Sequence, residues 1–305
     1  GRKARVTFTT DWAEDAQRRD FTINALYCDA SGTVHDPLGG YEDLLARRVR
    51  FIGNAEDRIR EDYLRILRFF RFTAEYASGR PDADGLAASI ALASGLDQLS
   101  AERIRAELLR LLAAPHAVET VAVMADAGLV QKLVGAEGDV PTFAKLCAIE
   151  AGLSRDNDPV LGLAALAHPR PGRVLADLAA RLRLSNAEAD RLSRLALPEP
   201  AFHPDTAERE ARAYLYRFGV EAFRDGVLLA WARSGAAADD SGWRGRFVLP
   251  NRWRVPTLPV RGADLLKVGL SEGPAIGRVV RAFEDWWISE DFPKDELLLA
   301  RLLSD

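Results

Sequence analysis

The chain has 305 residues, a formal net charge of −4, 48% hydrophobic residues and 28% charged ones. These are ordinary values for a folded protein of two or three compact units, and they exclude disorder and low-complexity architectures. No apolar run approaches the roughly 18 residues of a membrane span and no basic, then apolar, then small-residue leader opens the chain, so neither a membrane partner nor a secretory route is expected.

In chain order, Ala4, Val6 and Phe8 alternate with Arg5, Thr7 and Thr9, the period of a half-buried strand over 4–10. A short helix is expected around Asp15–Ala25, then a hairpin pairing 26–28 with 33–35 through Asp29-Ala-Ser-Gly32. Asp36-Pro-Leu-Gly-Gly40 reads as a turn whose two glycines can take positive φ, and 49–52 as one more short strand. After Asn54 the period becomes helical. Helices are expected over 61–77, 100–112 with Ser100 as N-cap, 116–129, 185–197 opened by a Ser185–Glu188 capping box, 205–218 ending at Gly219, and 220–233. Pro and Gly clusters at 168–172, 198–204 and 250–259 punctuate them. The fold class is therefore mostly α, with a partial α+β region at the start.

Charge is distributed unevenly. Residues 47–71 hold eight Arg against four acids, and 244–261 hold five Arg and no acid. Binding to phosphates depends on such clusters rather than on net charge, although each cluster also fits a solvated helix face. Cys28 and Cys147 have no CxxC spacing, which argues against zinc and disulfides and for a reducing, cytoplasmic home. His35, His116, His168 and His203 fit no ligand or triad spacing, and one of Trp286 and Trp287 at least belongs in a core.

Two phrases carry chemistry. In Arg18-Arg19-Asp20-Phe-Thr-Ile-Asn24 the paired arginines offer forked donors suited to a triphosphate, and Asp20 and Asn24, four apart on one helical face, can bond ribose hydroxyls. The alternative is a surface helix with charge pairs. In Glu61-Asp62-Tyr-Leu-Arg65 the acid and the base lie three apart on one helical flank, with Arg68 beside them. Cytosine and adenine both present an exocyclic amine next to a ring-nitrogen acceptor, so a carboxylate and a guanidinium together would accept C and A and oppose the carbonyls of U and G. The alternative is a surface ion pair.

Taken together, RRDFTINAL at 18–26, DPLGGYEDL at 36–44 and EDYLRILRFFRF at 61–72 resemble, in order and spacing, the class II tRNA nucleotidyltransferase (CCA-adding enzyme) and bacterial poly(A) polymerase family, densely over 11–75 and more weakly at 258–288. That resemblance implies a nucleotidyltransferase head (1–53, partial here), a helical neck with the base-reading region (54–150), and a helical body and tail that hold RNA (151–305). It assigns nucleotide binding to Arg18, Arg19, Asp20, Asn24, Asp62, Arg65 and Arg68, and RNA binding in the tail to Arg261, Lys267 and Arg278. The 36–40 turn would lie in or beside a segment that helps the pocket change between CTP and ATP. The partners it implies are CTP, ATP and the 3′ end and acceptor arm of tRNA.

The resemblance also implies Mg2+, held by an Asp-x-Asp strand ahead of the arginine pair. The chain starts at Gly1, and the first 14 residues contain no such strand; Asp11, Asp15 and Asp20 are spaced unsuitably. The expectation is a fragment without catalytic residues or metal ligands of its own, inactive alone. The other expectations to be separated are a poly(A) polymerase fragment and an RNA-binding module without chemistry.

Overall fold

The structure, a computed structural model, describes residues 11–77, 79–167, 173–196, 200–261 and 274–293. The strand expected over 4–10, the cluster at 168–172, His168 and Lys267 lie outside the described residues. The chain divides into two compact units, Gly1–Leu197 and Pro198–Asp305. No helix among the described residues is long and apolar enough to cross a membrane.

The first unit opens with α1 (Trp12–Gln17), whose N-cap Asp11 accepts from the Ala13 N–H at 2.8 Å. The helix expected to run to Ala25 stops here, because Phe21 is extended (φ −121°, ψ 149°) and Thr22–Asn24 form a 3-10 turn. The expected hairpin forms from β1 (Tyr27–Cys28) and β2 (Val34–His35), antiparallel, with Tyr27 opposite His35 and Cys28 opposite Val34. The strand expected over 49–52 shrinks to one bridge, Phe21 to Phe51, flanked by Thr22 N–H to Arg50 O and Ile52 N–H to Asp20 O, both 3.0 Å.

The two glycines of the 36–40 turn divide the work. Gly39 takes φ 70°. Gly40 does not need positive φ; it begins α2 (Gly40–Leu45) where a Cβ would lie 2.1 Å from the carbonyl oxygen of Thr22. Backbone atoms cannot swing aside, so Gly40→Ala is expected to destabilise this unit by on the order of 1–3 kcal/mol, as overpacking does. Thermal unfolding should then show a midpoint lowered by several degrees; an unchanged midpoint would mean that the α2–Thr22 approach is not tight in solution.

The helix expected over 61–77 forms as α4 (Leu64–Tyr76), preceded by a separate helix, α3 (Ala55–Glu61), with the break between them at Asp62 (φ −154°, ψ 108°). The aromatic run on α4 joins this helix to the bridge. Phe21 packs on Phe51 (ring centroids 4.9 Å) and Phe72 (5.2 Å), and Phe51 stacks on Phe69 (5.5 Å). Such pairs contribute about 0.5–1.5 kcal/mol each beyond area burial. Next come α5 (Ala83–Ala91), a 3-10 segment (Ala93–Gln98) and α6 (Ala101–Leu112). Ser100 stands at the N-cap of α6, but its side chain makes no capping bond.

The helix expected over 116–129, ending near Gly128, forms as α7 (Ala117–Asp126), and Gly128 (φ 72°) separates it from a further helix, α8 (Leu129–Val134). The unit closes with α9 (Val140–Gly152), α10 (Pro159–Ala167, buried from Val160 on), α11 (Arg173–Leu182) and α12 (Asn186–Leu195), where the expected capping box forms.

The second unit holds α13 (Glu208–Arg233), broken where expected at Gly219 (φ 83°), then α14 (Ser241–Phe247), α15 (Leu249–Arg252) and α16 (Pro274–Ser289). Its core includes Val260, Phe283, Trp287, Ile288 and Phe292, with Trp286 packed against it. In the Arg-rich 244–261 segment, Arg246 is buried, and its Nη2 donates to the carbonyls of His203 (2.6 Å), Pro204 (3.2 Å) and Thr206. That arginine is a structural tie, not part of a phosphate-binding face.

Candidate nucleotide-binding site

The bend between α1 and the hairpin, the break at Asp62 and the start of α6 converge on one cavity of about 450 Å3. All seven residues read from the sequence as nucleotide contacts line it, namely Arg18, Arg19, Asp20, Asn24, Asp62, Arg65 and Arg68, together with Leu64 and Arg103. Five guanidinium groups face two carboxylates, an excess of positive charge that suits a polyphosphate.

Each side chain has a local reason for its place. Arg18 Nη2 donates to Asp15 Oδ1 at 2.6 Å, and Arg19 donates to Asp15 Oδ2 through Nε (3.2 Å) and Nη2 (3.0 Å) and to Asn24 O through Nη1 (3.1 Å). Tyr27 donates to the same Asp15 at 2.9 Å and lies under the Arg19 guanidinium, 5.1 Å away. The hydrogen bonds from Tyr27 and Arg19 hold the Asp15 carboxyl below its ordinary range. One carboxylate behind the cavity thus aims two arginines.

Asp20 and Asn24 are not on a shared helix, yet they meet. Asn24 Nδ2 donates to Asp20 Oδ1 at 2.9 Å, and Arg68 Nε donates to Asp20 Oδ2 at 2.6 Å. Burial pushes the Asp20 carboxyl up, but Arg68 and Asn24 outweigh it and hold it below the usual range.

The expected pairing of Asp62 with Arg65 is corrected. Because the helix breaks at Asp62, the two do not hydrogen-bond. Asp62 Oδ1 accepts from the Leu64 N–H at 3.1 Å and Oδ2 from Arg103 at 2.6 Å. Arg65 Nη1 donates to Glu61 Oε2 at 2.5 Å and to Arg58 O at 2.7 Å. Burial raises the Asp62 carboxyl, and the bonds from Arg103 and the Leu64 N–H more than reverse it. Both side chains still reach the cavity, the carboxylate with acceptor capacity left for an amine. Arg103, 41 residues away, was missed by sequence reasoning because no spacing ties α6 to Asp62. The same holds for buried Glu107, which takes Arg71 Nε at 2.6 Å and lies 3.9 Å from Arg68.

The described residues do not fit a two-metal centre. No group of three or more Asp, Glu, His or Cys among them can hold a metal ion. The acids nearest the arginines, Asp15 and Asp20, have their oxygens engaged by Arg, Tyr and Asn donors. Two Asp-x-Asp tripeptides occur later and are otherwise employed. Asp82 caps α5 through the Gly85 N–H (3.1 Å), and Asp158 accepts from Val160 and Leu161 N–H (2.9 Å each) while pairing with Arg191.

Of the residues read as RNA contacts, Arg261 and Arg278 are exposed in the second unit. A separate cavity of about 660 Å3 in the first unit, lined among others by Arg50, Glu56, Asp82 and Asp84, has mixed charge and no converging arginines.

With this geometry in view, residues 1–50 match the family described as "Poly A polymerase head domain", and 81–135 match "Probable RNA and SrmB- binding site of polymerase A". The chain is 34% identical over 303 residues to "CCA tRNA nucleotidyltransferase 1, mitochondrial" of Mus musculus, covering 98% of this chain and 68% of that one. Among solved structures it is similar to the Bacillus stearothermophilus CCA-adding enzyme in complex with CTP (TM-score 0.65, 26% identity, covering 97% of this chain and 75% of the other). The Thermotoga maritima CCA-adding enzyme complexed with tRNA shares the fold (TM-score 0.66, 20% identity, 96% and 73% covered).

Proposed function

The chain belongs to the class II CCA tRNA nucleotidyltransferase family, and on that premise we propose that it serves the completion of tRNA 3′ ends. The reaction it serves is attack of the RNA 3′-hydroxyl on the α-phosphate of CTP, twice, and then of ATP, with pyrophosphate leaving each time. The observation that carries this reading is the convergence of seven motif residues, from two stretches of sequence, on one arginine-rich cavity. Arg18 and Arg19 grip the triphosphate, Asp20 and Asn24 the ribose, with Arg68 holding Asp20 in place. Asp62 and Arg65 read the base edge, accepting the amine and donating to the ring nitrogen. Functionally, 1–53 belongs to the head, 54–150 to the neck, and 151–305 to an RNA-holding body and tail, where Arg261, Lys267 and Arg278 contact the acceptor arm.

Magnesium is the family's expected cofactor, and the described residues provide no ligand set for it. The chemistry assigned to this chain is therefore binding and orientation of the nucleotide, and residues 1–305 alone are expected to transfer none. With saturating CTP, ATP and magnesium, labelled CMP should not enter a tRNA lacking its 3′ end above an Asp62→Ala control; Asp62-dependent incorporation would overturn this. Joined to the amino-terminal segment of a relative, the chain should add three nucleotides. A long ladder of A would instead make it a poly(A) polymerase part, and no product with tight RNA binding an RNA-binding module. Two unpaired cysteines, exposed Cys28 and buried Cys147, support a reducing compartment, which we take to be the cytoplasm.

A further inference from the structure

The two ends of the pocket come from separate stretches of chain, the triphosphate arginines at 18–19 and the base-reading residues at 62 and 65. A site of this kind works only if its parts keep their spacing to about half an ångström. Long arginine side chains do not secure that by themselves, so something behind the cavity must.

Arg58 has the contacts for it. It stands on α3, its side chain is only 13% exposed, and it is absent from the cavity lining, so a nucleotide does not compete for it. Its Nη2 donates to the carbonyl oxygens of both Arg18 (2.9 Å) and Arg19. Arg18 is the C-cap of α1, so its carbonyl is one that the helix end leaves without an intrahelical donor, and a cation suits that end. The other terminal nitrogen, Nη1, donates to both oxygens of Glu61, at 2.9 and 2.6 Å. Glu61 in turn takes Arg65 Nη1 at 2.5 Å, and the same Arg65 nitrogen donates to the Arg58 carbonyl at 2.7 Å. One planar fork thus ties the backbone of the phosphate grip to the side chain of the base reader.

We propose that Arg58 is a positioning residue that couples triphosphate binding to base selection, making Arg19 and Arg65 act as one unit. The inference rests on the reading of the cavity as a nucleotide site. A lysine would keep the charge but offers three donors on one atom, which cannot span from the carbonyl pair to Glu61. Arg58→Lys is therefore the informative variant, and Arg58→Ala the blunt one.

The test titrates CTP, CMP and UTP into the 305-residue chain, wild type and both variants, with thermal midpoints measured alongside. It repeats the CTP titration for Arg19→Ala, Arg65→Ala and the pair, in the wild-type and Arg58→Lys backgrounds. With Arg58 present, the double variant should lose less affinity than the product of the single losses, by about threefold or more, within the range for directly coupled residues. In the Arg58→Lys background the losses should simply multiply. Arg58→Lys should also lower the CTP-to-CMP and CTP-to-UTP affinity ratios together, with its midpoint near wild type. The proposal is overturned if the cycle is already multiplicative in the wild type, if Arg58→Lys changes neither ratio or only one, or if the ratios fall only in Arg58→Ala along with its midpoint. A wild-type chain that prefers CTP neither to CMP nor to UTP would refute the nucleotide site itself, a result distinct from a nucleotide site whose two ends are uncoupled.

Discussion

Replacing Arg65 by Ala is expected to remove most of the chain's preference for CTP and ATP over UTP and GTP while leaving RNA binding nearly intact. A guanidinium that donates to the ring nitrogen of C or A, next to a carboxylate that accepts the exocyclic amine, forms the kind of bidentate contact that discriminates between bases by about 1–3 kcal/mol, or roughly 5- to 150-fold. Arg65 is 16% exposed and already oriented by Glu61, so little ordering is left to be done when a base arrives. Asp62→Ala should relax the rejection of U in particular, because the carboxylate that opposes its carbonyl is gone. Arg103→Ala should act in the same direction more weakly, since Arg103 only fixes one oxygen of that carboxylate. Affinities of the four nucleoside triphosphates, measured by competition for the wild type and the three variants, decide the matter. If every variant binds more weakly yet ranks the nucleotides as the wild type does, Asp62 and Arg65 are ordinary surface charges contributing about half a kcal/mol, and base reading lies elsewhere.

Seven of the residues lining this cavity were legible in the sequence, whereas Arg103 and the backbone that presents them were not. Arginine pairs, a carboxylate and an amide at short spacing state their chemistry locally. The capping box at Ser185–Glu188 and the break at Gly219 were readable for the same reason, since each depends on neighbours in sequence. The break at Asp62 is not written in the local period. Tyr63, itself in helical φ/ψ (−61°, −16°), packs its ring against Gly95, where a Cβ would lie 1.9 Å from it. The Asp62 carboxylate then offers the Leu64 N–H a side-chain acceptor. Helical periodicity in EDYLR carries no trace of that contact, and the same distance in sequence hides Arg103 and Glu107. The predicted i,i+3 pair was therefore replaced by two residues that reach the same cavity from either side of a helix junction, each held by a different charged partner.

Raising the pH from 5 to 8 is expected to weaken the first unit through a single buried acid, Glu150. This residue on α9 is 1% exposed, and its two oxygens accept the Asp158 N–H at 3.2 and 3.4 Å. Burial raises its carboxyl to about 7, the nearby Asp158 charge adds to the rise, and the Asp158 N–H, Arg155 and Arg191 oppose it. Burial pushes the Cys147 thiol, one turn away, up to about 12, and the Glu150 charge adds to the rise, so that thiol stays protonated throughout.

The sign follows from linkage. The folded state holds the Glu150 proton more tightly than the unfolded one, whose ordinary value is 4.5. The associated stability is fully present below that value and is lost as the pH rises through about 7. A shift of this size corresponds to roughly 3 kcal/mol. Glu150→Gln keeps an acceptor for the Asp158 N–H and removes the titration. Urea unfolding of both proteins at intervals from pH 5 to 8 isolates the effect, because other titrating groups cancel in the difference. The wild type should lose about 2–3 kcal/mol relative to Glu150→Gln across that interval. A flat or rising difference would mean that Glu150 is ionised in the fold at neutral pH, held there by Arg155 and Arg191 against the cost of its burial.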